Sequence, residues 1–221
     1  MQIIIGNKAY SSWSMRGWLA VRLSGLVHDE TLIPMWSEEW DAAQATPPFR
    51  ASAGKVPILI DGDAVVWDSL AIVDYLADMV GRDRFWPADP AARALARSMA
   101  AEMHSSYPDL RRHCTMNVRR HYPAAALPDA VQTDVDRIVA LWTEARTRFG
   151  GGGDYLFGDY GAADLIFAPV ATRFRTYAIP LPPVAEAYAT TLLRHPDVAA
   201  WIDAARTEPW VVAKYELSSD A

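Results

Sequence analysis

Three short stretches of this 221-residue chain carry residue types that could do chemistry. The first is Tyr10-Ser11-Ser12-Trp13-Ser14, which falls between a strand-like run, Gln2 to Ile5, and apolar residues at helical spacing from Met15 to Leu26. Hydroxyls and free backbone N–H groups would converge there at the positive end of a helix, a place that stabilises an anion; a plain serine N-cap explains the same pattern. Arg16 stands close behind, where a cation opposes the helix dipole and calls for an acidic partner or a bound anion, unless it is simply solvated. The second stretch is Gly54-Lys55-Val56-Pro57-Ile58-Leu59-Ile60, in which a proline at the start of a buried strand gives up a ladder hydrogen bond. An ordinary trans edge proline accounts for it, and so does a cis Val56–Pro57 turn, which would leave the Val56 N–H and C=O facing outward to pair with a peptide-like ligand. The third is Asp68-Ser69, a capping acid and a hydroxyl at a helix start, which serve as caps alone or hold a ligand's ammonium and carboxylate together.

Two weaker groupings follow. Met103, Tyr107 and Arg111 recur at four-residue spacing and could line one face of a long helix bent at Pro108 over a cleft. Trp36 and Trp40 are expected to share a helical face at a pocket or a contact between subunits. The single cysteine, Cys114, makes no internal disulfide or CxxC redox pair, and the five histidines lack close metal-ligand spacing, so no metal is expected.

The elements that must position these residues alternate in type through the first eighty positions. Strand, turn and helix are followed by a short strand at Thr31 to Ile33, a looser helical segment, and a hairpin turning on Asp61-Gly62-Asp63. Leu70, Val73, Leu76 and Val80 then mark one face of an amphipathic helix. This βαβ-α-ββα order implies a mixed sheet over residues 1–81, joined by a proline-bearing linker at 82–89 to an all-helical domain over 90–221. Helices are expected from Pro90, from Asp129 to Phe149, and near Ala162, Pro183 and Pro196, with no obvious capping tail after the last. The glycines at 150–153 read as a loop rather than a phosphate cradle.

Composition narrows the function. Charged residues at 22% and apolar residues at 51% fit a folded protein, the net charge of -6 and scattered arginines disfavour nucleic acid, and no run approaches a membrane span or a secretory leader. The expectation is a cytoplasmic protein acting on small molecules.

Taken in order, Ser11-Ser12-Trp13-Ser14-Met15-Arg16, the Val56-Pro57 strand, Asp68-Ser69 before Leu70-Ala71-Ile72, and the helical second half resemble the glutathione transferase superfamily along nearly the whole chain. The serine string is most similar to the zeta class, which includes maleylacetoacetate isomerases, with Trp13 standing where that class has a cysteine. Gly161-Ala162-Ala163-Asp164 resembles the family's buried helix cap. The resemblance implies a thioredoxin-like first domain, glutathione as co-substrate and a homodimer acting in detoxification. It implies that Ser11 or Ser12 contacts the sulfur, and that Trp13, Lys55, Val56, Pro57, Asp68 and Ser69 surround glutathione. The second substrate would be a small electrophile; the alternative is a glutathione-binding stress or interaction module with little turnover.

Overall fold

The computed structural model describes residues 1–216 of the chain. Its first half is built on a four-stranded sheet: β1 (Gln2–Ile5), β2 (Asp29–Leu32), β3 (Ile58–Asp61) and β4 (Ala64–Val66), in the order β2-β1-β3-β4. β1 and β2 run parallel with Ile3 opposite Glu30, while β3 runs antiparallel to both β1 and β4. The crossover from β1 to β2 is α1 (Ser12–Ser24), capped by the Ser11 side chain and ended by Gly25 in the left-handed region at φ 74°. Two short helices, α2 (Glu38–Ala43) and α3 (Pro47–Ala51), precede β3, and α4 (Ser69–Val80) follows β4. This is the thioredoxin-like βαβ-α-ββα order, with the hairpin turning at Gly62 as expected.

The remainder is helical: α5 (Pro90–Ser105), α6 (Pro108–His113), α7 (Asp129–Phe149), α8 (Ala162–Thr176), α9 (Pro183–Arg194) and α10 (Pro196–Arg206). α8 is the buried spine, with 14 of its 15 residues inaccessible. Its start is fixed by Asp164, which accepts from the N–H groups of Gly161 at 2.9 Å and Leu156 at 3.1 Å and from the Tyr188 hydroxyl at 2.9 Å. One continuous core joins both halves, from Ile3 and Leu19 through Ile72 to Trp142, Phe167 and Trp201.

Three expectations are corrected. The helix from Pro90 does not bend at Pro108; it stops at Ser105, and Tyr107, at φ 66°, starts a separate helix, because proline disfavours the helical region for the residue before it. Met103, Tyr107 and Arg111 therefore share no helical face. Trp36 lies outside α2 at φ 63°, so it and Trp40 share none either; Trp40 packs edge-on against Phe49, and Trp36 against Tyr215. A tail does follow α10: residues 207–216 fold back across the β1–α1 loop, where Glu216 accepts from Tyr10 at 2.7 Å, Asn117 at 3.0 Å and Arg120 at 2.7 Å.

Candidate functional site

Ser11 arrives at the site because β1 stops at Ile5 and the chain must turn before α1 begins. Its Oγ accepts from Ser14 N–H at 3.2 Å, the capping bond, and lies 2.8 Å from Ser14 Oγ, which in turn accepts from Gly6 N–H at 3.0 Å. Across from it, Val56–Pro57 is cis, and among the described residues the Val56 N–H and C=O have no backbone partner. The Pro57 ring lies on α1 at Gly17, where an added Cβ would come within 2.6 Å of Pro57 Cγ; only glycine permits this approach. Asp68 caps α4 through Leu70 N–H at 3.0 Å.

Ser11, Trp13, Lys55, Val56, Pro57 and Asp68 line one cleft of about 500 Å³. Ser12 and Ser69 lie beneath it, buried; Ser69 Oγ has no hydrogen-bond partner among the described residues, and Ser12 Oγ is 3.4 Å from an Arg173 guanidinium nitrogen. Of the three residues expected at a second-substrate pocket, only Arg111 approaches the cleft. Met103 is core, and the Tyr107 hydroxyl turns away to donate to Glu102 at 2.5 Å. Arg111 lies 5.1 Å from the Trp13 ring centroid, held by the backbone oxygens of Ser106 and Met103.

Sequence reasoning missed His104, which also lines the cleft. Its Nε2 is 3.0 Å from an Asp68 carboxylate oxygen and its ring meets Trp13 edge-on at 5.1 Å. Burial lowers its pKa below the usual histidine value, with Asp68 pulling the other way and Arg16 and Arg111 adding to the fall. Nothing local to Asp68 names a partner 36 residues later. Met35, Trp40, Gly54 and Trp67 complete the walls.

Positive charge collects behind Trp13. Arg16 is wholly buried, not solvated: its Nε donates to Ile166 C=O at 2.9 Å, and its other two guanidinium nitrogens have no partner among the described residues. Burial, then Arg111 and Arg173, push its pKa well down, and Asp68 opposes them. Arg173 is also buried; it donates to Cys114 C=O at 2.9 Å and Pro169 C=O at 3.1 Å, and burial lowers its pKa to about 10, so it stays protonated at neutral pH. Burial in turn pushes the Cys114 thiol up to about 11, which leaves it protonated and unreactive. Two carboxylates bear on these guanidiniums: Asp68, already against His104, acts on Arg16, and Asp134 acts on Arg111. Uncompensated buried cations are costly unless an anion joins them.

A four-stranded mixed sheet of this topology followed by an all-helical half defines a thioredoxin-like fold with a helical domain, and sequence comparison names the family. Residues 10–79 match the glutathione S-transferase N-terminal domain family and residues 128–204 the C-terminal domain family. The chain belongs to the glutathione transferase superfamily. Glutathione S-transferase GstB of Escherichia coli K12 is 31% identical over 121 residues, which span 52% of this chain and 58% of that protein. The fold is shared with a maleyl pyruvate isomerase described as a zeta-class glutathione S-transferase, at TM-score 0.71 and 22% identity over 94% of this chain and 99% of that one. It is shared also with a maleylacetoacetate isomerase of Methylobacterium extorquens AM1 carrying malonate and glutathione, at TM-score 0.65 and 23% identity over 96% and 100%. Among the described residues no helix is long and apolar enough to cross a membrane, and no three His, Cys, Asp or Glu side chains group as metal ligands.

Proposed function

We propose that this chain is a glutathione transferase that holds glutathione as a thiolate at Ser11 and adds the sulfur to a small electrophile. The observation that carries the reading is the convergence of the α1 cap, the Val56 edge and Asp68 in one cleft, with buried arginines behind it. The cysteinyl part of glutathione pairs with the Val56 backbone, Asp68 and Ser69 take the γ-glutamyl end, and the sulfur lies at Ser11. The thiol proton leaves to solvent, and the thiolate forms the new carbon–sulfur bond as the electrophile's carbon–carbon π bond opens and its other carbon takes a proton from solvent, or as a halide departs with the bonding pair. Lowering a thiol pKa by about two units needs roughly 2.7 kcal/mol of preferential anion stabilisation. A hydrogen bond to a charged group supplies about 1.5–3 kcal/mol and a helix N-terminus about 0.3–2. Arg16, Arg111 and Arg173 further favour a carboxylate-bearing electrophile, in keeping with the two structural relatives named for maleyl substrates. The protein acts as a cytoplasmic homodimer, each chain divided at residues 82–89.

One observation favours the second reading, a binding module with little turnover. The Ser11 hydroxyl faces Ser14 Oγ at 2.8 Å, so it must rotate to meet a sulfur. Glutathione titration with a panel of enones, halides, isothiocyanates and unsaturated dicarboxylates separates the two. Saturable glutathione-dependent conversion supports the transferase; binding without conversion supports the module.

A further inference from the structure

The loop that delivers Ser11 is held by the second half of the molecule. Lys8 and Ala9 are buried, with Ala9 wholly inaccessible, and both lie in the turn after β1, outside any strand. The Glu208 carboxylate takes both: Oε1 accepts from Lys8 N–H at 2.6 Å and Oε2 from Ala9 N–H at 3.0 Å. The matching carbonyls are also claimed from the helical side, Lys8 C=O by Trp201 Nε1 at 3.0 Å and Ala9 C=O by Val118 N–H at 3.2 Å. Glu208 itself is tied down, because Arg119 donates to its carbonyl at 2.9 Å.

We propose that Glu208 is a positioning residue for the reaction, clamping the two amides just upstream of Ser11 so that the serine and the first turn of α1 meet the glutathione sulfur. This inference rests on the reading of Ser11 given above. The geometry suits the role. A carboxylate accepting two backbone N–H groups makes two charge-assisted bonds of fixed direction, which a neutral acceptor does not reproduce. No other side chain accepts from the Lys8 or Ala9 amides among the described residues, so losing the carboxylate leaves two buried donors unpaired. Such donors drive the loop to move, and Ser11 moves with it, two residues on. The clamp acts from 197 positions away in sequence, so no local pattern announces it.

The test compares Glu208→Gln, Glu208→Ala and a control, Arg206→Ala, which breaks an exposed ion pair to Asp203 at the end of α10 without touching the loop. Hydrogen exchange over residues 7–11 should rise at least about tenfold in both Glu208 variants and stay near wild type in the control, whereas β3 and α8 stay protected in all three. The bound glutathione thiol pKa should rise by about one unit in Glu208→Gln, and kcat should fall at neutral pH with KM for glutathione changed less than about threefold. Gln keeps the shape of Glu but offers one amide a donor instead of an acceptor, so a deficit in Gln as well as in Ala fits the clamp. Unchanged exchange at residues 7–11 in a folded Glu208→Ala overturns the proposal, as does faster exchange with an unaltered thiol pKa. If wild-type protein forms no bound thiolate at all, the reading of Ser11 fails instead, while the exchange data still report on the clamp.

Discussion

Ser11→Ala removes two things at once, and their magnitudes separate them. The N-cap bond to Ser14 N–H is lost, which costs about 1 kcal/mol of stability, within the 0.5–2 kcal/mol typical of such caps. The proposed hydrogen bond to the thiolate would be lost as well, worth about 1.5–3 kcal/mol, or one to two pKa units. Against a bound thiol at about 6.5, two units below a free thiol, a rise of about 1.5 units cuts the ionised fraction at pH 7 from roughly 76% to roughly 9%. The rate at pH 7 should therefore fall about eightfold, and the deficit should shrink to about 1.1-fold at pH 9, where both proteins carry thiolate. Glutathione binding stays within a few-fold, since the Val56 and Asp68 contacts remain. The assay is the pH profile of kcat/KM for a reactive electrophile, taken at pH values where the fold is intact by circular dichroism. A deficit that stays constant from pH 6 to pH 9 would falsify ionisation as the role of Ser11. If Ser12→Ala instead gives the pH-dependent deficit, the role moves one residue along.

Other outcomes follow from the same contacts. Gly17→Ala places a methyl within 2.6 Å of Pro57, so it should displace the Val56 edge and raise the glutathione dissociation constant about tenfold in a chain that still folds, as calorimetry will read. Asp164→Ala unpairs the Leu156 and Gly161 amides and the Tyr188 hydroxyl together, and should lower stability by about 3 kcal/mol or more in urea titrations; a loss under 1 kcal/mol contradicts the account of α8. Cys114 should resist iodoacetamide at pH 8 in the native state and react once unfolded. His104 should titrate below the usual histidine value by NMR, and Asp68→Asn should lower it further, since that carboxylate raises it; a rise contradicts the assigned contact.

Local chemistry announced much of this molecule. The serines before α1, the Asp61-Gly62-Asp63 turn and the caps at Asp68 and Gly161 are local signals, because each depends on residues within four positions. The long helix from Asp129 to Phe149 has the bounds its periodicity implies. What could not be read were partners brought together by the fold. The order of elements did not reveal that His104 reaches Asp68, that Arg173 passes beneath Ser12, or that Glu208 holds Lys8 and Ala9. Arg16 was half legible: its place near a positive helix end flagged a cation in need of an anion, but burial among Ile166, Arg111 and Arg173 is a tertiary fact. The error at Tyr107 came from extending a four-residue period through a proline, where local backbone sterics override the pattern.

In the proposed reading the α1 N-terminus, Ser11 and the arginines behind Trp13 together ionise the glutathione thiol. Its most direct test is ultraviolet titration of the thiolate on wild-type protein saturated with glutathione, from pH 5 to pH 10, beside free glutathione. The bound thiol is expected to titrate about two units below the free value. A bound thiol that titrates with the free value, on protein shown by calorimetry to be saturated, would contradict it.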